Sequence, residues 1–289
     1  MDARQGGRVF VGPLEDPVPI ANLNGTQLFY VEVGEGLPCL VMHGGLGFDH
    51  TCLHPWLDPL GEQMHLIYYD HRGNGRSGRP PVETLTFERF CADADALREH
   101  LGFERIAVLG YSFGGFIALE YALRYPQRLS HLVLLGTAPA SNYGEEIVAD
   151  ARRKGATLEQ LEALDASVDD DAELWRLWKQ IEPLYFYAYD EDLACRVLGK
   201  TKVSFEAAEA GDAILEGWDL TPRLGEISAP TLILVGRDDF VCPPSQAEIM
   251  HQRIPDSELV VLEKGGHLAH AERPEAFFEA VRGWLERPS

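Results

Sequence analysis

The chain has 289 residues, 45% of them hydrophobic, and a formal net charge of −21. That length suits one large domain, alone or with an insertion, and the acidic balance repels phosphate backbones and anionic lipids, leaving a small molecule as the expected partner rather than nucleic acid or membrane. The five cysteines (Cys39, Cys52, Cys91, Cys195 and Cys242) are odd in number and widely spaced, so a disulfide framework and a zinc site are not expected and a reducing, cytoplasmic setting is.

Residues 1–7 lack the apolar segment of a secretory signal, and no apolar run in the chain reaches the length of a bilayer span. Strand-like runs at 18–23 and 26–33 flank Asn24-Gly25, the strongest short hairpin signal. Residues 37–42 and 65–69 are short apolar runs of buried-strand type. Residues 86–101 have helical spacing, with Phe87, Phe90, Ala94 and Leu97 on one side. A strand over 105–109, a helix over 116–125 and a strand over 132–135 follow. This alternation predicts an α/β fold, a mostly parallel twisted sheet with helices on both faces.

The pattern changes after Pro139. Residues 145–220 carry 19 Asp and Glu against 8 Lys and Arg and show no strand pattern. Strand and helix then resume, with strands at 231–235 and 259–262 and helices from 245 and over 275–285. Residues 1–140 and 221–289 are therefore expected to form one core, and 141–220 a helical insertion.

Between the 105–109 strand and the next helix stands Gly110-Tyr111-Ser112-Phe113-Gly114. A sharp strand-to-helix turn there strains the central residue and lifts its side chain clear of the sheet, which makes Ser112 a nucleophile. A serine hydroxyl needs a base, and the base needs an orienting acid. Both occur downstream at strand ends. The 231–235 strand runs into Gly236-Arg237-Asp238-Asp239, where Asp238 and Asp239 compete as the acid. The 259–262 strand runs into Gly265-Gly266-His267, with His270 a weaker second base. An oxyanion would need two N–H donors: Phe113, which follows the nucleophile, and Gly45 or Gly44 of the His43-Gly44-Gly45 loop.

These segments, together with Asp70-His71-Arg72-Gly73-Asn74-Gly75-Arg76-Ser77, resemble the α/β-hydrolase family in its capped members. The resemblance covers nearly all of the chain outside the insertion. It implies Asp239 as the acid, three residues after Gly236, and 141–220 as a lid over the active site. Within the family the chain is similar to the proline iminopeptidases, but Leu46, His71 and Phe240 depart from their pattern. Phe240 stands where that branch carries an acidic side chain for the substrate's free amine. Glu206 or Glu209 is a weaker source of such a carboxylate.

The resulting expectation is a cofactor-free serine esterase acting on a small or medium carboxylic ester or a lactone. Aminopeptidase activity on N-terminal proline is the alternative. A ligand receptor that kept the fold without turnover is the alternative from another class. Tyr111, Phe240, Trp175, Trp178 and Tyr185 are the expected substrate contacts, although the two tryptophans, one helical turn apart, also suit the lid's own core. Asp70 and Arg72 are expected to form a buried ion pair that braces their loop. His43, Asp49, His50 and His54 match no metal-binding spacing, so no metal is expected. Oligomeric state is not legible.

Overall fold

A computed structural model describes residues 19–287. Strands β1 (Ile20–Leu23) and β2 (Thr26–Val33) form an antiparallel hairpin. Asn24 and Gly25 take φ of 47° and 76° at its turn, the doubly positive backbone that Asn-Gly tolerates and that a type I′ turn requires. The expected first strand reached back to Val18, which lies outside the described residues. Next come β3 (Leu37–Met42), β4 (Met64–Tyr69), α1 (Phe87–His100), β5 (Ile106–Tyr111), α2 (Phe113–Arg124) and β6 (Leu129–Leu135). Helices α3 (Gly144–Arg153), α4 (Leu158–Ala163), α5 (Asp171–Ile181), α6 (Glu191–Leu198) and α7 (Phe205–Leu215) follow. The chain then runs through β7 (Thr231–Gly236), α8 (Pro244–Arg253), β8 (Ser257–Leu262), α9 (Ala269–Glu272) and α10 (Pro274–Leu285).

The eight strands form one sheet in the order β1-β2-β4-β3-β5-β6-β7-β8. From β4 to β8 every pairing is parallel. Alternate residues of the central strands enter opposite cores: Leu40, Met42, Ile106 and Val108 one, and Cys39, Val41, Ala107 and Leu109 the other. That period of two, with both faces covered, is why these strands read as continuous apolar runs rather than as an alternating pattern.

Helix α2 begins at Phe113, three residues before the apolar helical pattern predicts. The missing turn contains Gly114 and Gly115, poor helix formers whose presence has a packing reason. A Cβ on Gly114 would lie 2.2 Å from Met42 O, and one on Gly115 would lie 2.3 Å from Thr137 Oγ1. The helix start is pressed directly onto the ends of β3 and β6.

Helices α3–α7 all lie between β6 and β7, and an isolated antiparallel bridge pairs Ala140 with Asp219 at the two ends of this run. Helix α5 carries Leu174, Leu177, Trp178 and Ile181 at spacings of i, i+3, i+4 and i+7. This stripe packs with Ala163 and Val168 into a small core separate from the two beside the sheet. No helix among the described residues is long and apolar enough to cross a membrane.

Candidate active site

The C-terminal ends of β3, β5, β7 and β8 deliver the site, at the edge where open α/β sheets present their crevices. Strand β5 ends at Tyr111, and Ser112 follows with φ 53° and ψ −121°. A non-glycine residue in such a conformation costs on the order of 1–3 kcal/mol and persists only when its surroundings over-determine it. Ser112 N–H donates to Leu135 O at 3.0 Å. Its carbonyl accepts from Gly115 N–H and from Thr137 Oγ1–H, both at 2.8 Å. The glycines of the motif make the turn possible, because a Cβ on Gly110 would lie 2.5 Å from Gly114 O. Among the described residues the Ser112 hydroxyl has no hydrogen-bond partner.

Asp239 and His267 meet, although 28 positions separate them. His267 Nδ1 lies 2.8 Å from Asp239 Oδ2, with both side chains buried. Asp239 Oδ1 accepts from Val241 N–H at 3.0 Å and Cys242 N–H at 2.9 Å, which fixes the carboxylate's orientation. Asp238 is only half-buried, and its backbone carbonyl rather than its carboxylate is engaged, by Lys154. His270 is buried against Tyr111, and its Nε2–H donates to Cys52 O at 3.0 Å. Burial pushes its pKa down to about 4. Gly136, at φ 50°, backs the Asp–His pair: a Cβ there would lie 3.2 Å from Asp239 Oδ2 and 3.4 Å from His267 Nδ1. Sequence reasoning passed over Gly136; its signal was a glycine directly after a strand at the sheet's C-terminal edge.

The His43–Gly45 loop descends over Ser112. Gly44 permits the approach, since a Cβ there would lie 2.9 Å from Ser112 Cβ and 2.9 Å from the Tyr111 ring. Gly45 and Phe113 line the same cavity as Ser112. Phe113 N–H opens helix α2, where it has no intrahelical acceptor. Among the described residues, neither Phe113 N–H nor Gly45 N–H donates to any group.

Asp70 and Arg72 do not pair with each other. Arg72 is held by Asp93 of α1 through two bonds of 2.6 and 2.7 Å, with both side chains 2% exposed. Asp70 accepts from His50 Nδ1 at 2.6 Å and from Arg76 N–H at 2.7 Å. Burial opposes its charge, but these donors hold its carboxyl below the usual range. The reason is placement: α1 packs beside the loop and offers a bidentate carboxylate that residues two apart in a tight turn cannot offer each other. The nearby histidines are each engaged separately: His54 with Asp58, and His43 with His71, the two rings tilted at 41° with centroids 4.1 Å apart. Burial depresses the pKa of both His43 and His71.

A cavity of about 1310 Å³ opens above Ser112. Leu46, Phe113, Phe116, Ile147, Leu215 and Phe240 give it apolar walls, and Tyr185 and Tyr143 also face it. Glu145, Glu162, Asp165 and Asp212 are exposed acidic residues on its lining. Of the expected substrate contacts, Phe240 and Tyr185 are on the wall, whereas Tyr111, Trp175 and Trp178 are not. Tyr111 lies beneath the site, its ring 5.1 Å from that of His267 and 5.3 Å from that of His270. Trp178 belongs to the α5 stripe and packs against Phe48 and Tyr185. Trp175 flanks that stripe, half-buried and off the cavity. Glu206 and Glu209 are exposed on α7, whose Ala208, Gly211 and Asp212 face the cavity instead.

A family model for the alpha/beta hydrolase fold matches residues 38–274. A proline iminopeptidase of Pestalotiopsis fici is 30% identical over 284 residues, covering 93% of this chain and 100% of that protein. An enol-lactonase of Burkholderia xenovorans superposes with a TM-score of 0.73 at 25% identity, over 93% of this chain and 100% of that one. An esterase of Exiguobacterium antarcticum superposes with a TM-score of 0.74 at 24% identity, over 93% and 99%.

Proposed function

This chain belongs to the α/β-hydrolase family, and we propose that it is a serine hydrolase cleaving small or medium carboxylic esters, lactones included, through an acyl-enzyme. Ser112 Oγ attacks the ester carbonyl carbon while His267 Nε2 takes its proton. Asp239 holds the imidazole in the tautomer with its proton on Nδ1 and stabilises the imidazolium. The free N–H groups of Phe113 and Gly45 receive the oxyanion, with Gly44 the second choice beside Gly45. Collapse of the tetrahedral intermediate breaks the bond to the alkoxide oxygen, which leaves with the proton from His267. A water then repeats the attack on the acyl-serine, gives its proton to His267, and releases the acid and the free serine. Residues 141–220 serve as a cap, since residues of α3, α4, α5 and α7 share the cavity lining with Ser112.

The observation that carries the ester reading is Phe240. It follows Asp239 directly, is 1% exposed, packs edge-on against Tyr185 at 5.2 Å, and lines the cavity with Ser112. An apolar ring there offers neither a carboxylate nor a hydrogen-bond acceptor to a substrate ammonium next to Asp239. A proline iminopeptidase activity is the second reading. The 30% identical relative of that name favours it, and so do Glu145, Glu162, Asp165 and Asp212 on the lining.

Turnover of a p-nitrophenyl acyl ester and of prolyl-p-nitroanilide separates the two. Ester turnover that Ser112→Ala abolishes is expected, and strong turnover of the anilide alone reverses the order. A fluorophosphonate should label Ser112. Absence of labelling in folded protein, or labelling that survives Ser112→Ala, leaves a binding protein on the hydrolase fold as the better reading.

A further inference from the structure

Both amides at the His267 corner are held from outside their own loop. His267 N–H donates to Tyr185 O at 2.7 Å. Gly266 N–H donates to Glu272 Oε2 at 2.7 Å. The other oxygen of Glu272 accepts from Tyr187 N–H at 2.8 Å and Ala188 N–H at 3.3 Å. Glu272 closes α9 in the core, whereas residues 185–188 lie between α5 and α6 in the insertion. One carboxylate therefore bridges the loop that carries His267 and the segment that crosses it. The approach is close enough to require glycine: a Cβ on Gly266 would lie 2.4 Å from Tyr185 O. Lys154, at the end of α3, donates through Nζ to Phe186 O at 2.8 Å and to Asp238 O at 3.0 Å. The same short segment is thus tied to the His267 loop and to the residue before Asp239.

We propose that Glu272 is a positioning residue for His267, locking its loop onto residues 185–188 so that the seating of the cap and the alignment of the base are set together, with Lys154 its counterpart on the Asp239 side. This rests on the reading of His267 as the base. The carboxylate suits the task because it accepts on both oxygens at once, and all three of its donors are backbone groups that cannot turn away. Without it, one N–H of the His267 loop and two of the cap lose their shared acceptor. The two segments then have less reason to stay in register, and small displacements of a catalytic base carry large rate penalties.

Glu272→Gln in the full chain tests this, because the amide keeps the size of the side chain while turning one accepting end into a donor. With a p-nitrophenyl ester, kcat is expected to fall about tenfold or more with KM within about threefold. The loss should persist when the rate is divided by the fraction of sites titrated with fluorophosphonate. A folded variant with wild-type kcat, a loss confined to KM, or a loss that vanishes on that normalisation overturns the proposal. If Glu272→Gln does not fold, Lys154→Gln decides by the same criteria, since its side chain reaches the segment from a helix end. Ser112→Ala and His267→Ala separate the two claims. Wild-type turnover in either sinks the functional reading itself. Dead controls beside a wild-type-like Glu272→Gln sink only the positioning role.

Discussion

Replacing His270 by glutamine separates two roles open to a buried histidine three residues from His267. The glutamine amide can still donate to Cys52 O, so the perturbation removes the titration and little else. Burial holds the His270 pKa at about 4, against an ordinary 6.5. Above pH 6.5 the ring is neutral in both the folded and unfolded chain, and it contributes no pH dependence. As pH falls below 6.5 the unfolded chain binds the proton first, so stability is lost from pH 6.5 down to about pH 4. The full loss is on the order of 3 kcal/mol, and about 2 kcal/mol of it is reached by pH 5. His43 and His71 shift in the same direction, but they are common to both proteins and cancel in the comparison. Urea unfolding of wild type and His270→Gln at pH 7.5 and pH 5.0 measures the difference. The gap between the two proteins should move by about 2 kcal/mol in favour of the variant at the lower pH. Ester turnover at pH 7.5 should stay within about threefold of wild type. An identical pH dependence in both proteins refutes the linkage argument. Collapse of turnover at pH 7.5 makes His270, not His267, the functional histidine.

Asp239→Asn should keep the oxygen that accepts from Val241 and Cys242 and turn its amide toward His267, forcing the wrong tautomer; ester kcat is expected to fall by about 10⁴, measured at saturating substrate. Gly44→Ala introduces a Cβ 2.9 Å from Ser112 Cβ, so turnover should drop about a hundredfold while circular dichroism shows an intact fold. Asp93→Asn strips the buried Arg72 of its counter-charge and should cost about 3–5 kcal/mol in urea unfolding; a cost below about 1 kcal/mol would mean that the guanidinium finds another partner.

Much of the site was legible because it is written in short-range signals. Asn24-Gly25 specifies its turn by its own backbone preferences. The Gly110–Gly114 motif specifies a strained serine between strand and helix, and Asp239 and His267 each follow a strand within a few residues. Other contacts left no local trace. Arg72 finds Asp93, 21 positions away, because α1 packs beside its loop. Trp175 and Trp178 read alike, and only the α5 stripe puts Trp178 in the small core with Ala163 and Val168 and leaves Trp175 at its flank. Glu272 and Lys154 look like ordinary surface charges until the chain between α5 and α6 crosses beside them.

By itself, the sequence determined which backbone conformations and periodicities the chain adopts, and hence a mostly parallel α/β sheet with a serine, an acid and a histidine at its strand ends. Those properties depend on neighbours a few residues apart, where sterics and side-chain period act directly. Only the tertiary structure decided which distant groups touch: the wall of Phe240 and Tyr185 around Ser112, the Cys52 carbonyl that His270 meets, and the segment that Glu272 binds to the His267 loop. Such contacts follow from strand order and from how the helices between β6 and β7 fold back, and neither is carried by local propensity.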